Sequence, residues 1–154
     1  MMIMMGCEGS LSKQQEAYFQ EWEAQRPLSV REQKEAAAKR LVAAAGEFKD
    51  ALVVPLTHPD TGEDLLPNSI SLPLDVFVEL SRIAIRRAMS SDRQEAALNR
   101  LNAASEELYA AIRWAAEPAV GEGATTWPKV PSRTMVKLTG LKMHTVRQIT
   151  RSND

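Results

Sequence analysis

The side chains with the clearest chemical use are the cations near the C-terminal end of the chain. Residues 129–154 contain six basic residues against a single acidic one, Asp154, which gives this segment a charge of +5. The other residues hold 13 basic and 19 acidic side chains, so they carry −6. A short basic end on an acidic body is typical of an element that binds a polyanion. The six cations are Lys129, Arg133, Lys137, Lys142, Arg147 and Arg151.

A second group of polar side chains lies between residues 55 and 72, in a segment rich in Pro, Asp, Asn and Gly. His58, Asp60, Glu63 and Asp64 belong to the residue types that bind metals. No helical or strand spacing directs them at one point, and one histidine with scattered carboxylates is a weak signal for a metal. We therefore expect a polar loop built on turn residues, with no metal.

The residue types needed for catalysis are sparse. The chain has two histidines, His58 and His144, and one cysteine, Cys7. We find no glycine-rich phosphate loop, no nucleophile elbow and no pair of carboxylates on a rigid element. These observations predict a protein that is not an enzyme and that needs no cofactor.

The single cysteine also bears on where the protein resides. Cys7 has no partner for an internal disulfide, as is usual in a reducing compartment. No stretch of the sequence reaches the roughly 20 apolar residues that cross a bilayer. We therefore expect a cytoplasmic protein with no membrane partner.

The elements that must position these side chains are predicted to be helices. Ala, Leu, Val and Ile supply most of the apolar content in long stretches without glycine, and no alternating strand pattern is found. The apolar spacing predicts an all-α fold, a helical bundle. Its helices are expected at about residues 11–25, 30–52, 73–89 and 93–117.

Capping residues mark the helix starts. Ser29 and Glu32 form the S-x-x-E pattern of a capping box, and Asp92 with Glu95 suits a second one. Pro73 fits the first turn of the helix that it opens, because a missing N–H costs nothing there.

Each predicted helix carries one apolar face. The helix at 11–25 has an aromatic face formed by Tyr18, Phe19 and Trp22. The helix at 30–52 is expected to bury Ala37, Leu41, Ala44, Phe48 and Leu52. The helix that starts at Pro73 is expected to bury Leu74, Phe77, Leu80, Ala84 and Ala88. That face is widened by four further apolar residues, Val76, Val78, Ile83 and Ile85. The helix at 93–117 has a coiled-coil-like seam, either for the core of the chain or for a dimer contact: Leu98, Leu101, Ser105, Leu108, Ile112 and Ala115.

The domain organisation predicted from these elements has four parts. Residues 1–10 are expected to be disordered, and residues 11–117 to form an acidic helical bundle that also mediates dimerisation. Residues 118–131 are rich in Pro, Gly and Thr and are expected to be a linker. Residues 132–154 form the basic C-terminal unit.

Residues 132–151, SRTMVKLTGLKMHTVRQITR, have the spacing of two short helices joined by a tight bend. Gly140 stands where the bend needs a left-handed residue, and Leu141 follows as an apolar plug. Val146 and Ile149 fall on the inner face of the second helix, and the first helix contributes Met135, Val136 and Leu138. This segment resembles the helix-turn-helix of bacterial and phage transcription regulators.

The resemblance implies that the helix at 142–151 enters the major groove of DNA. By position, Met143, His144 and Gln148 would contact bases, since Gln can pair with adenine through two hydrogen bonds and Met can touch a thymine methyl. Phosphate contacts, which position the protein without reading sequence, would come from five cations and one hydroxyl. These residues are Arg133, Lys137, Lys142, Thr145, Arg147 and Arg151.

Units that resemble this one normally contain three helices, because two short helices bury too little surface alone. The third helix is expected to be the one at 93–117 or a helix of a second chain. Trp114 or Trp127 would cover the gap between them.

Two functions from different classes fit the sequence. The first is a small sequence-specific transcriptional regulator that binds double-stranded DNA as a homodimer. The second is a helical interaction or assembly protein that does not bind DNA. In that case the aromatic face at 11–25 and the seam at 93–117 would bind a partner protein.

Overall fold

The computed structural model describes Gln15, residues 27–68 and residues 72–151. Within these ranges the chain is mostly helical and has one small antiparallel hairpin. The expectation of a helical chain is confirmed for this part of the sequence. The disorder predicted for residues 1–10 and the helix predicted at 11–25 lie outside the described residues, Gln15 excepted.

Helix α1, Val30–Ala51, begins at the predicted capping box. The Ser29 hydroxyl accepts from the Glu32 N–H (3.1 Å), and the Glu32 carboxylate accepts from the Ser29 N–H (3.1 Å). Two N–H groups that the helix cannot satisfy itself are therefore paired. The apolar face of α1 is buried as expected, from Ala37 to Phe48, while Leu52 is the half-buried residue that follows the helix.

A two-stranded hairpin occupies part of the predicted loop. Strand β1, Leu56–Thr57, pairs antiparallel with β2, Asp64–Leu65. No strand pattern is found in the sequence here, because strands of two residues are too short to show an alternation. The turn between them is held by His58, whose Nδ1 accepts from the N–H groups of Asp60 (3.1 Å) and Thr61 (3.3 Å).

His58, the histidine of the predicted polar loop, lies in this turn. Across the ranges that the structure describes, no three His, Cys, Asp or Glu side chains come together as a metal site.

Helix α2, Leu74–Ala88, follows Pro73 directly. It buries Leu74 and Phe77 as predicted, but the face then continues through Ser81 and Ile85, whereas Leu80 is 39% exposed. Val78 and Ile85, which widen the predicted face, are buried, and the Leu80 side of that face is not. The sequence offers two apolar stripes at helical spacing, and the structure buries the one that contains Ser81, whose hydroxyl donates to the Phe77 carbonyl (2.9 Å). Burial of that hydroxyl is tolerated because it is paired.

Helix α3, Ser91–Ala116, is the longest helix described. The capping box predicted at Asp92 and Glu95 was wrong, because the helix starts two residues earlier than predicted, with Ser90 as its N-cap and Asp92 in the first turn. The seam of α3 is buried against the rest of the chain from Leu101 to Ala115. Of the two uses left open for the seam, the intrachain core is the one observed.

Helices α1 and α3 pack closely and run antiparallel. Arg40 pairs with Glu107 through two hydrogen bonds (2.8 and 2.7 Å), and Glu47 pairs with Arg100 (2.8 Å). Residue numbers rise along α1 while their partners fall along α3, which fixes the direction. The Arg40 guanidinium holds the pKa of Glu107 below its usual value, and Arg100 does the same for Glu47.

The segment at 118–131, predicted to be a linker, is attached to the body of the chain. Gln33 donates from Nε2 to the Val120 carbonyl (2.7 Å) and accepts at Oε1 from the Val120 N–H (3.0 Å). Val130 is buried in the hydrophobic core. The segment therefore connects two parts of one core.

Lys129 closes the C-terminal end of α3. It is only 6% exposed. Its Nζ donates to the carbonyls of Trp114 (3.1 Å), Glu117 (3.3 Å) and Pro118 (3.4 Å) and lies 4.5 Å from the centroid of the Trp114 ring. Burial lowers the pKa of Lys129, while Glu117 acts in the opposite direction. This cation, counted from the sequence with the basic C-terminal end, is directed inward.

Two short helices complete the described chain: α4, Ser132–Thr139, and α5, Met143–Arg151. Helix α4 packs on α1, and α5 packs on α3 and on α4. Their buried side chains belong to the same hydrophobic core as those of α1, α2 and α3. The helices that pack against α4 and α5 are thus α3, one of the two alternatives that the sequence left open, and α1. Trp114 packs against this core, while Trp127 is 74% exposed.

None of the helices in the described ranges combines the length and the apolar character that crossing a bilayer requires.

Candidate nucleic-acid interface

The bend between α4 and α5 is built on Gly140. This residue ends α4 with φ 75° and ψ 6°, a left-handed conformation that glycine adopts at little cost. Its N–H donates to the Val136 carbonyl (2.9 Å). The Thr139 hydroxyl donates to the Met135 carbonyl (2.7 Å) and accepts from the Leu141 N–H (3.2 Å). Gly140 therefore has the conformation that its place in the sequence predicted.

The inner faces of α4 and α5 anchor the bend to the body. Met135, Leu141, Val146 and Ile149 are buried in the common core. Val136 and Leu138 are half-buried and pack against it. All six residues predicted to pack inside the bend are thus on the side that faces the rest of the chain.

The exposed part of α5 is a narrow strip. His144, Arg147 and Arg151 are exposed, and their spacing of three and four residues places them on one face of the helix. Met143 and Lys142 are half-buried beside this strip. On α4 the exposed basic side chains are Arg133 and Lys137.

Two of the predicted DNA-contact residues turn inward. Thr145 is 2% exposed, so its prediction as a phosphate contact was wrong. Gln148 is half-buried with its Oε1 atom fully buried, and it lines a cavity between α5, α3 and the start of α2. Its prediction as a base contact was therefore wrong as well. The packing of α5 on α3 turns the helix so that Arg147, rather than Gln148, is at the centre of the exposed strip.

The exposed cations of α4 and α5 have no ionic partners within the described part of the chain. Five arginines of the body do form ion pairs with carboxylates. No acidic residue occurs in residues 132–151. Because no described carboxylate forms an ion pair with them, they are available to an external anion. We refer to these four residues as the C-terminal cations: Arg133, Lys137, Arg147 and Arg151.

Lys49, on the last turn of α1, was missed by the sequence reasoning. A Cβ placed on Gly140 would lie 3.2 Å from the Lys49 Nζ and 3.9 Å from the Asn68 amide nitrogen. Two side-chain donors, one of them charged, therefore adjoin the bend. No local pattern could have revealed them, because they come from elements distant in the sequence.

The exposed side chains of α4 and α5 have the chemistry of an anion-binding surface. It combines charged donors with one histidine and lacks carboxylates, so it can attract phosphates and other anions. Among the described residues, no three His, Cys, Asp or Glu side chains come together beside it.

No model of a known protein family matches the chain, and neither a curated protein nor a solved structure does so.

Proposed function

We propose that this chain is a small transcriptional regulator that binds double-stranded DNA through α4 and α5, with α5 in the major groove. The observation that carries the proposal is a carboxylate-free pair of helices with unpaired, exposed cations. Gly140 joins the two helices in a left-handed conformation, and their apolar side chains are packed in the core of the body. Helix-turn-helix proteins use such a pair to read base edges.

Base contacts are reassigned to the exposed strip of α5. Arg147 lies at its centre, and an arginine can donate two hydrogen bonds to a guanine in the major groove. His144 precedes it by one turn, and Met143 borders the strip. Arg133, Lys137 and Arg151, with the half-buried Lys142, then serve the phosphates on either side.

A homodimer remains part of the proposal, but it requires a surface other than the seam of α3. That seam is filled by α1 and the C-terminal helices. Two copies would present two α5 helices to half-sites about one helical turn apart, and a palindromic target would follow.

The test measures affinity for duplex DNA by fluorescence anisotropy, with random-sequence and genomic fragments. With roughly three to five phosphate contacts per chain, affinity should fall on the order of 100-fold between about 50 and about 200 mM salt. Arg147→Ala should weaken binding by about 5- to 150-fold, because a good arginine–base pair is worth about 1–3 kcal/mol.

Arg93→Ala is the matched control. Arg93 is exposed on the first turn of α3, forms no ion pair in the described chain, and lies at the far end of that helix from the residues near α5. Its removal should leave DNA affinity unchanged. Absence of binding to any duplex at low salt would contradict the proposal and favour the protein-interaction alternative. Equal loss from both variants would contradict the assignment of α5 to the groove.

A further inference from the structure

Lys49 and Asn68 bring two side-chain donors to one point beside the bend between α4 and α5. A Cβ placed on Gly140 would lie 3.2 Å from the Lys49 Nζ and 3.9 Å from the Asn68 Nδ2. Lys49 is on the last turn of α1, and Asn68 follows strand β2. Both residues are exposed. An ammonium group and an amide group from separate parts of the chain therefore meet at Gly140.

Neither donor is used within the part of the chain that the structure describes. The Lys49 Nζ and the Asn68 Nδ2 form no hydrogen bond or ion pair there, whereas five arginines of the body pair with carboxylates. An ammonium group and an amide N–H₂ group are both hydrogen-bond donors. They can therefore bind a ligand that offers acceptor oxygens.

The carboxylates nearest to Lys49 along α1 act on a different cation. Glu47 accepts from Arg100 of α3 (2.8 Å). The hydrogen bond from Arg100 to Glu47, together with the charge of Asp50, raises the pKa of Arg100. Lys49 instead lies beside Gly140. Its charge is therefore not cancelled by an ion pair within its own helix.

Gly140 leaves room for a ligand at this point. Because glycine has no Cβ, its backbone can be approached closely by another group. Lys137 precedes Gly140 by three positions and Lys142 follows it by two, so further cations adjoin the bend along the chain. The bend therefore combines open backbone with positive charge, as a site for a small anion requires.

We infer that Lys49 and Asn68 hold one phosphate group against the bend at Gly140. The two donors lie within 4 Å of one point, so the oxygens of a single phosphate can accept from both. The phosphate belongs to the backbone of DNA, and this part rests on the proposed function. Lys49 thus joins the phosphate contacts assigned to α4 and α5.

This contact ties the body of the chain to the duplex. Lys49 belongs to α1, on which α4 packs, so a phosphate held here fixes the orientation of the body together with that of α5. Phosphate contacts position a protein on DNA without reading its sequence. Removal of the contact should therefore weaken binding to all sequences alike.

The experiment measures the affinity of the full chain for a random-sequence duplex by fluorescence anisotropy, between about 50 and about 200 mM salt. Each phosphate contact adds about 0.9 to the slope of log affinity against log salt. Lys49→Met should lower the slope by about that amount. Its affinity should fall on the order of tenfold at about 50 mM salt and about threefold at about 200 mM. Lys49→Arg retains the charge and should retain the slope.

Two further variants locate the contact. Asn68→Ala removes a neutral donor, so the affinity should fall several-fold with the slope of the parent. Lys34→Met is the matched control, because Lys34 is also an exposed lysine of α1 and lies about 22 Å from Lys49 along the helix. That distance exceeds the Debye length of about 8–10 Å. Lys34→Met should therefore keep the slope of the parent.

The results separate this inference from the proposed function. A parent-like slope in Lys49→Met, once circular dichroism shows that the variant is folded, would overturn the contact and leave DNA binding by α5 intact. An equal loss of slope in Lys34→Met would overturn its position at the bend. A parent chain that binds no duplex would overturn both proposals.

Inorganic phosphate tests the other source of the same group. It replaces chloride at constant ionic strength while thermal unfolding is followed by circular dichroism. As an excluded salt, phosphate should stabilise the parent and Lys49→Met equally. Additional stabilisation of the parent would reveal a site for free phosphate and overturn the assignment to the DNA backbone.

Discussion

Gly140 and Gly46 both lie in or beside helices, but a side chain introduced at the two positions would have opposite effects. Gly140 has φ 75°, and the nearest atom to a Cβ there is the flexible end of Lys49, so the obstacle is the backbone conformation itself. Gly46 lies inside α1, and a Cβ there would meet nothing within 4 Å. The first glycine is required by its conformation, and the second only weakens its helix.

Alanine at the two positions should therefore change stability in opposite directions. We expect Gly140→Ala to lower the free energy of unfolding by about 1–2 kcal/mol, the cost of a left-handed side chain. Gly46→Ala should raise it by about 0.5–1 kcal/mol, because alanine is the better helix former. Urea unfolding followed by circular dichroism measures both. A Gly140→Ala protein as stable as the parent would show that the bend does not depend on glycine.

Residue-level prediction from the sequence succeeded where the cause is local. The capping box at Ser29 and the left-handed Gly140 depend only on neighbours within a few positions. It failed at Thr145 and Gln148. Helical spacing shows which side chains share a face of the helix, but it does not show which face packs against a neighbouring helix. It missed Lys49, whose position beside the bend is set by the packing of α4 on α1.

At the scale of elements, the end of α3 is held by a side chain from beyond it. Four carbonyls at a helix C-terminus have no partners within the helix, and Lys129 supplies donors to this end of α3. The sequence could place the end of the helix at Pro118, but it could not show that a lysine eleven positions later folds back over it.

The substitution Lys129→Met should show how much this contact contributes to the free energy of unfolding. Methionine keeps an unbranched apolar side chain against Trp114 but removes the ammonium group. Because hydrogen bonds to charged groups contribute about 1.5–3 kcal/mol, the free energy of unfolding should fall by about that amount. Lys39→Met, at an exposed position of α1, is the control and should change stability by less than about 0.5 kcal/mol. Equal effects from the two substitutions would contradict the role given to Lys129.

At the scale of the whole molecule, the C-terminal helices and the body share one hydrophobic core. The sequence predicted helices close to those observed, but it suggested a bundle and a C-terminal unit separated by a linker. Nothing in the composition of residues 118–131 reveals that Val120 pairs with Gln33, which precedes it by 87 positions. Contacts of this range depend on the packing of several elements at once.

A shared core predicts a shared unfolding transition. Met135→Ala, in α4, should lower the free energy of unfolding by about 2–5 kcal/mol, as expected for a fully buried methionine. Circular dichroism and tryptophan fluorescence should report the same shifted midpoint. Val42→Ala, at an exposed position of α1, should change stability by less than about 0.5 kcal/mol. Loss of only the C-terminal part of the helical signal in Met135→Ala would instead indicate two independently folded units.

The partners of α1 are distant in the sequence, so its contacts can form only late in translation. Arg40 pairs with Glu107, which is synthesised 67 positions later. Gln33 pairs with Val120, which is synthesised 87 positions later. At about 5–20 residues per second, a ribosome needs on the order of 5 to 15 s to supply the second of these partners. During that interval the nascent α1 carries Leu41 and Phe48 without the surface that will cover them. We therefore expect this face of α1 to be covered only after the residues of α3, α4 and α5 have been synthesised.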